Sequence, residues 1–151
     1  MREDLPIEIT REVGGRCLCF RVQRAARALA RRFDEALRPF ALTNGQFSML
    51  MAMNRPEPPR IGDLAAFLAM DRTTLTAALK PLERRGLVTV APDADDRRSR
   101  RLVLTDAGRD LLLAALPVWR STHDAVDALL AGSAPEAGAG RLRQDLDALS
   151  R

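Results

Sequence analysis

The sequence contains few of the residues from which metal sites and disulfides are built. It has no tyrosine, one histidine (His123) and two cysteines, Cys17 and Cys19. These are too few for a structural zinc site, so neither a metal nor another cofactor is expected. Two residues apart on a predicted helix, the cysteine side chains point to nearly opposite sides, which argues against a disulfide between them. A reduced, metal-free chain is the expectation.

Long apolar runs are missing as well. No run approaches the ~20 residues that a membrane-spanning helix needs. The segment MREDLPIEIT at the start is charged and lacks the apolar core of a signal peptide. We therefore expect a cytoplasmic protein without a membrane partner. Its 151 residues suffice for one folded unit with a buried core.

Lysine is scarce too, since Lys80 is the only one, and arginine supplies the net charge of +4. A basic chain rich in arginine favours an anionic partner, because guanidinium groups bind phosphate and guanine with two hydrogen bonds. A GC-rich genome would produce the same bias. The sequence shows no Ser-His-Asp spacing, no glycine-rich phosphate loop and no carboxylate pair in an apolar context. An enzyme is therefore not expected.

Hydrophobic periodicity predicts a mainly helical fold. Apolar residues recur every three or four positions from Thr10 to Arg38, which predicts one long helix ended by Pro39. The next helix should begin at a capping box formed by Thr43 and Gln46. Two further helices follow, a short one in 61–70 and a longer one in 72–85 between the N-cap Asp71 and Gly86.

A β-hairpin and two more helices complete the chain. The runs LVTV (87–90) and RLVLT (101–105) predict two strands around the charged segment DADDRRSR. Thr105 should cap a helix that reaches about Leu130 and is kinked at Pro117. Ser133 and Glu136 can form a further capping box. Apolar seams are predicted in these helices at Leu112, Leu116, Trp119, His123, Val126 and Leu130, and at Leu142, Leu146 and Leu149.

This order of elements is typical of a winged helix-turn-helix. In that arrangement the helix after the turn enters the major groove of DNA, and the hairpin, or wing, lies along the backbone or in the adjacent minor groove. Leu75, Leu79 and Leu82 should be buried. An ordinary amphipathic helix with a solvated face is the alternative for 72–85. The residues predicted to contact DNA from this helix are Arg72, Thr73, Thr74, Thr76 and Lys80.

The segment LAAFLAMDRTTLTAALKPLERRGLV, followed by DADDRRSRRLVLTDAG, resembles the MarR family of bacterial transcription regulators over roughly Thr10 to Leu130. The resemblance implies that Arg98 enters the minor groove, that Asp96 orients it, and that Arg97 contacts DNA beside it. A narrow A·T-rich groove favours an inserted guanidinium. A surface ion pair between Asp96 and Arg98 is the simpler alternative.

The resemblance also implies a homodimeric repressor. Dimerisation helices would lie in 1–38 and 108–151, around a winged helix-turn-helix DNA-binding domain in 39–107. One chain is not expected to cover both Trp119 and the Leu142–Leu149 stripe, although packing of the termini within one chain is the alternative. A two-fold dimer places its recognition helices about 34–36 Å apart and requires a pseudo-palindromic operator.

The sequence leaves open which of two stimuli would control DNA binding, a small ligand or oxidation of a cysteine. Small phenolic or aromatic-acid effectors are implied by the family's common mode, with plain core packing as the alternative for the apolar residues. The segment LCF also resembles the organic-hydroperoxide-sensing branch, OhrR, with Cys19 as the reactive thiol. That branch uses tyrosines that this chain lacks, and buried structural cysteines are the alternative. A winged module that binds proteins instead of DNA remains a third class.

For the small-ligand mode, the predicted effector-binding residues are Arg16, Phe20, Arg24, Phe47, Met51 and Trp119.

Overall fold

Within the residues that it describes, 4–93, 99–133 and 138–150, the computed structural model contains seven α-helices and one β-hairpin. A 3-10 turn at 38–40 separates the second and third helices. The mainly helical fold with a small hairpin is therefore confirmed. The elements are α1 (Ile7–Arg16), α2 (Leu18–Leu37), α3 (Asn44–Met53), α4 (Ile61–Phe67), α5 (Arg72–Arg84), β1 (Val88–Pro92), β2 (Arg100–Leu104), α6 (Asp106–Ser133) and α7 (Gly138–Leu149).

The single helix predicted over Thr10–Arg38 is wrong, because the chain breaks at Cys17. The backbone of Cys17 is extended (φ −71°, ψ 102°), and its Sγ accepts a hydrogen bond from Phe20 N–H at 3.4 Å as the N-cap of α2. Two glycines, Gly14 and Gly15, weaken the last turn of α1. No residue of α1 is buried, so no tertiary packing opposes the break.

The capping signals of the central helices are confirmed. Gln46 N–H donates to Thr43 Oγ1 at 3.2 Å, and Thr43 N–H donates to Gln46 Oε1 at 3.1 Å. The carboxylate of Asp71 accepts a hydrogen bond from Thr74 N–H at 2.8 Å, so Asp71 is the N-cap of α5. Gly86, with φ +69°, follows the end of α5 in the left-handed conformation that glycine adopts most easily.

The core lies where α3, α4, α5 and the hairpin pack against the end of α2 and the first third of α6. Its members are apolar, and the predicted burial of one face of α5 is confirmed. Fully or almost fully buried side chains include Leu37, Leu50, Leu64, Leu75, Leu79, Leu82, Leu102 and Ala115.

The hairpin pairs in antiparallel register from Val88 opposite Leu104 to Pro92 opposite Arg100. It is joined to α6 through Thr105, whose hydroxyl donates to Gly86 O at 2.7 Å and accepts from Gly108 N–H at 3.1 Å. Gly108 is required at this junction, since a Cβ there would lie 2.3 Å from Leu87 O.

The two C-terminal helices extend beyond the core. The capping of α6 by Thr105 is confirmed, Pro117 lies inside the helix, and the helix ends three residues past Leu130. Arg143 of α7 donates to both carboxylate oxygens of Asp127 of α6, at 2.6 and 2.8 Å, and this contact lowers the pKa of Asp127. The capping box predicted for Ser133 and Glu136 lies outside the described residues. In the described ranges, no helix is long and apolar enough to cross a membrane.

Candidate nucleic-acid interface

The start of α5 presents the predicted contact residues on one exposed surface. Arg72, Thr73, Thr74, Thr76 and Lys80 are all exposed, opposite the buried leucines of the same helix. A helix whose apolar face is buried and whose polar face carries cations and hydroxyl groups can approach an anion without losing core contacts. The structure therefore leaves all five side chains accessible, and it brings Arg72 and Thr76 together in one groove.

The hydroxyl groups on this surface differ in their hydrogen bonds. Thr74 Oγ1 donates to Asp71 Oδ2 at 2.5 Å, and Thr76 Oγ1 donates to the Arg72 carbonyl at 2.7 Å. The hydrogen bonds from Thr74, the hydroxyl first and then the backbone N–H, hold the pKa of Asp71 below its usual value of 3.8. Among the described residues, neither Thr73 nor Lys80 uses its side chain in a hydrogen bond or ion pair. These two side chains are thus available to a ligand.

A polar groove separates α5 from the base of the hairpin. Its volume is about 560 Å³, and its walls come from the start of α4, the start of α5 and the first residues after the hairpin tip. Arginine dominates the charge of the walls. The lining residues are Arg60, Ile61, Gly62, Asp63, Arg72, Thr76, Ser99 and Arg100.

The base of the hairpin holds a buried carboxylate that sequence reasoning missed. Asp93 is 2% exposed, and its Oδ2 accepts hydrogen bonds from Arg60 Nε and Arg101 Nε, both at 2.8 Å. Arg101 Nη1 also donates to the Pro58 carbonyl at 3.0 Å. Arg101, the first residue of the predicted strand 101–105, thus points inward. The alternation of strand residues could have indicated this, because Arg101 and Arg100 occupy opposite faces of β2.

The predicted wing contacts Asp96, Arg97 and Arg98 lie outside the described residues. The described residues that flank 94–98 are paired with each other, since Asp93 N–H donates to the Ser99 carbonyl at 3.1 Å. The hairpin base is therefore positioned next to the arginine-lined groove and the exposed surface of α5.

Three of the predicted effector residues line one apolar cavity of about 340 Å³. Phe47 and Met51 of α3 and Trp119 of α6 form its walls, together with Phe67 of α4. The rings of Phe47 and Trp119 stack at 5.8 Å between centroids. The guanidinium carbon of Arg55 lies 4.6 Å from the centre of the exposed Phe67 ring, a contact that the sequence did not indicate. The cavity can hold a flat apolar group.

The other three predicted effector residues do not reach this cavity in one chain. Arg16 pairs with Glu12 at 3.0 Å, and Phe20 and Arg24 are exposed on α2. Trp119 is half-buried and also contacts His123, with ring centroids 4.2 Å apart; Phe33 packs on the other side of that histidine at 4.6 Å. His123 therefore serves in aromatic packing on the seam.

Both cysteines are free thiols, and neither is buried. Cys17 is half-buried at the break between α1 and α2, whereas Cys19 is exposed. Within one chain, neither thiol has the burial that the alternative of two buried structural cysteines requires. The exposure of Cys19 leaves its thiol accessible to small reagents.

The helices at the two ends of the chain leave apolar side chains uncovered. Neither α1 nor α7 buries any residue, and α2 buries only Phe33 and Leu37. These helices therefore present apolar faces with no partner in the described chain. The exposed side chains are Ile7, Ile9, Val13, Leu18, Phe20, Val22, Leu29, Leu142, Leu146 and Leu149.

Known proteins share this architecture. The chain is 38% identical over 95 residues to the transcriptional activatory protein BadR of Rhodopseudomonas palustris, over 61% of this chain and 54% of BadR. It thus spans about half the length of that relative. The transcriptional regulator MosR of M. tuberculosis, solved in complex with DNA, is 39% identical over 89% of this chain and 93% of that chain, with a TM-score of 0.77.

A second solved relative is the transcriptional repressor CouR. Its complex with a 23-mer DNA duplex matches at 29% identity over 92% of this chain and 96% of that chain, with a TM-score of 0.78. Another structure of a CouR protein, 25% identical over 91% and 94% of the chains (TM-score 0.78), holds p-coumaroyl-CoA. The profile of the MarR family matches residues 42–99, from the last residues before α3 to the end of the hairpin tip. Sequence, elements and relatives agree: the chain belongs to the MarR family of winged helix-turn-helix transcriptional regulators.

Proposed function

We propose that the protein is a transcriptional repressor that binds a pseudo-palindromic operator as a homodimer and releases it when a small aromatic ligand binds. The observation that carries the proposal is the exposed polar surface of α5 beside a fixed hairpin. This is the arrangement with which a winged helix reads a major groove and the neighbouring minor groove. MosR and CouR, with the same architecture, were solved with DNA, and CouR is named a repressor.

Two sets of residues would divide the contacts with DNA. Thr73, Thr74, Thr76 and Lys80 approach base edges and phosphates of the major groove from α5. In the minor groove, family resemblance assigns the inserted guanidinium to Arg98, oriented by Asp96 and flanked by Arg97. Helix α5 then determines the half-site sequence, and the hairpin adds a preference for A·T pairs beside it.

The uncovered apolar faces support the homodimer. Segments 1–38 and 108–151 would supply the dimerisation helices, and 39–107 the DNA-binding domain. Each leucine removed from water contributes ~1.5–3 kcal/mol, so the exposed leucines of α2 and α7 favour association. A two-fold axis through these helices places two copies of α5 about one turn of DNA apart.

The apolar cavity supports an aromatic effector. Phe47, Met51 and Trp119 offer ring faces and a thioether to a flat molecule, and Arg55 at the neighbouring Phe67 could pair with a carboxylate. Arg16, Phe20 and Arg24 would take part only if the partner subunit's first helices reach this cavity. CouR, which holds p-coumaroyl-CoA, is an example of a relative with an aromatic acyl ligand.

Selection of bound duplexes from a random library tests the proposal. We expect enrichment of a pseudo-palindrome, and light scattering should show two copies of the chain on each selected duplex. Lys80→Ala should weaken binding, whereas Arg120→Ala, a change of an exposed arginine on α6, should not. Failure to enrich any sequence would favour the protein-binding winged module.

The exposed thiol of Cys19 supports a second candidate, a peroxide-sensing repressor. Oxidation of an accessible thiolate could move α2 and so change the distance between the two copies of α5 in the dimer. The absence of tyrosine removes the hydrogen bonds that hold the reactive thiolate in the resembling branch, which makes this the weaker candidate.

A further inference from the structure

The side chain of Arg72 lies across the start of α4 instead of extending away from α5. Arg72 is the first residue of α5, and Gly62 is the second residue of α4. A Cβ on Gly62 would lie 2.8 Å from Arg72 Nη2, 3.2 Å from its Cζ and 3.3 Å from its Nε. Three guanidinium atoms thus pack against the bare backbone of one glycine. Any larger residue at position 62 would displace them.

The guanidinium of Arg72 has no anionic partner among the described residues. Asp63 lines the same groove but forms no ion pair with it, and Arg100 on the opposite wall is likewise unpaired in the described chain. Arg60, the third arginine of the groove, forms an ion pair through its Nε with Asp93 Oδ2 at 2.8 Å. An exposed guanidinium without an ion-pair partner in the described chain, lining one groove with two other arginines, is suited to a phosphate.

The position of the groove identifies which phosphate this is. It runs between α5 and the base of the hairpin. When a recognition helix occupies the major groove and the wing the adjacent minor groove, the sugar-phosphate strand dividing the two grooves must pass between them. The groove lined by Arg72 and Arg100 lies at that crossing.

We propose that Arg72 binds a backbone phosphate rather than a base edge, and that Gly62 is a positioning residue because its lack of a side chain leaves room for the guanidinium against α4. The inference rests on the proposed DNA binding and deepens it. An arginine that reads guanine must extend from the helix into the groove. Arg72 instead follows the surface of α4 towards the crossing strand. Phosphate contacts fix the register of a protein on DNA without specifying sequence.

The test uses the duplex that the full-length wild-type protein enriches, and four variants. Arg72→Ala, Gly62→Ala and their double variant probe the pair. Gly45→Ala is the matched control, since Gly45 is the second residue of α3 and nothing lies within 4 Å of a Cβ placed there. Binding is measured across a salt series and on duplexes in which single phosphates are replaced by neutral methylphosphonates. Selection from the random library is then repeated with Arg72→Ala.

We expect Arg72→Ala to weaken binding about tenfold and to flatten the log–log salt slope by about 0.9. In wild type, a methylphosphonate at the contacted phosphate of each half-site should lower affinity. In Arg72→Ala that replacement should no longer lower affinity, and the base preference should be unchanged. Gly62→Ala should reproduce this pattern, the double variant should bind no worse than Arg72→Ala, and Gly45→Ala should match wild type. Alanine favours a helix more than glycine does, so Gly62→Ala should fold. Gly62→Ser provides a second side chain at the same position.

Several results would overturn the inference. A changed base preference in Arg72→Ala, with the wild-type salt slope, would make Arg72 a base-reading residue. Effects of Arg72→Ala and Gly62→Ala that multiply in the double variant would show that the two residues act independently. A Gly62 variant indistinguishable from Gly45→Ala would remove the role of Gly62. If the wild type enriches no duplex, the proposed function fails first, which is a different outcome from each of these.

Discussion

Asp93 and Arg101 face each other across the base of the hairpin, with Arg101 Nε 2.8 Å from Asp93 Oδ2. Arg60 Nε contacts the same oxygen, so one buried carboxylate joins the hairpin to the start of α4. Backbone pairing between Arg60 and Arg101, an isolated antiparallel β-bridge, adds to the connection. So does the hydrogen bond from Leu102 N–H to the Pro59 carbonyl. The base of the wing is therefore fixed on the DNA-binding domain before DNA binds, which lowers the cost of ordering it.

Asp93→Ala should destabilise the protein, because it removes the shared acceptor of two guanidinium groups. The side chains of Arg60 and Arg101 are 41% and 27% exposed, so water compensates them in part and the expected loss is about 1–3 kcal/mol. Urea unfolding measures it. Asp110→Ala, at an exposed position on α6, should change the free energy of unfolding by less than about 0.5 kcal/mol. Equal losses in the two variants would contradict the role of Asp93.

Asp71 should make stability depend on pH in the acidic range. Its folded pKa lies below the usual 3.8, chiefly because the Thr74 hydroxyl and N–H donate to the carboxylate. The stabilisation is therefore complete above the unfolded pKa and is lost as the pH falls through the lower folded value. Asp71→Asn still caps α5 but carries no charge. Unfolding free energies of wild type and Asp71→Asn should differ at neutral pH and converge in acid.

Thr74→Val provides the control for this assignment, because it removes the hydroxyl donor and keeps a branched side chain of similar size. Its pH profile should lie between those of wild type and Asp71→Asn. A difference between wild type and Asp71→Asn that stays constant into acid would show that Asp71 contributes only as a neutral cap.

Leu146→Glu should dissociate the proposed homodimer. Leu146 is 39% exposed on α7, and in a dimer interface its replacement would bury a charge without a partner. We expect dimerisation to weaken by about a hundredfold or more, measured by light scattering across protein concentrations. Val90→Glu is the matched control, because Val90 is similarly exposed (37%) and lies in β1, outside the proposed dimerisation segments. A wild type that is monomeric at micromolar concentration would contradict the dimer itself.

Arg98→Ala and Thr73→Ala should separate the roles of hairpin and helix. Loss of Arg98 should reduce the preference for A·T beside the half-site and flatten the salt slope by about 0.9. Loss of Thr73, whose hydroxyl has no partner in the described chain, should alter preference within the half-site. Repeated selection with each variant measures both effects. If the two changes lower affinity equally on all sequences, the division between grooves is incorrect.

The features predicted from the sequence are those that local signals determine. The capping box of Thr43 and Gln46, the glycine after α5 and the buried leucines of α5 depend on neighbours within a few residues, and these are found. The break at Cys17 was missed, because apolar spacing continues through it and α1 buries no residue whose packing would have required a straight helix. The inward turn of Arg101 depends on Asp93, eight residues away across a hairpin, and the packing of Arg72 depends on Gly62 in another helix. Such contacts are fixed by tertiary structure and leave no periodic pattern in the sequence.

The final prediction distinguishes the two effectors. Trp119 is the only tryptophan and lines the apolar cavity, so its fluorescence reports directly on a bound ligand. We expect a small aromatic carboxylic acid to change this emission and to release the selected duplex from wild type and from Cys19→Ser alike. If Arg55 pairs with the carboxylate, Arg55→Gln should weaken binding of the acid but leave binding of its neutral amide unchanged. A ligand needs only a few kcal/mol of differential affinity between two dimer shapes to shift their populations. If cumene hydroperoxide releases DNA from wild type but not from Cys19→Ser, and aromatic acids leave both the emission and the complex unchanged, the thiol is the sensor and the cavity is ordinary packing.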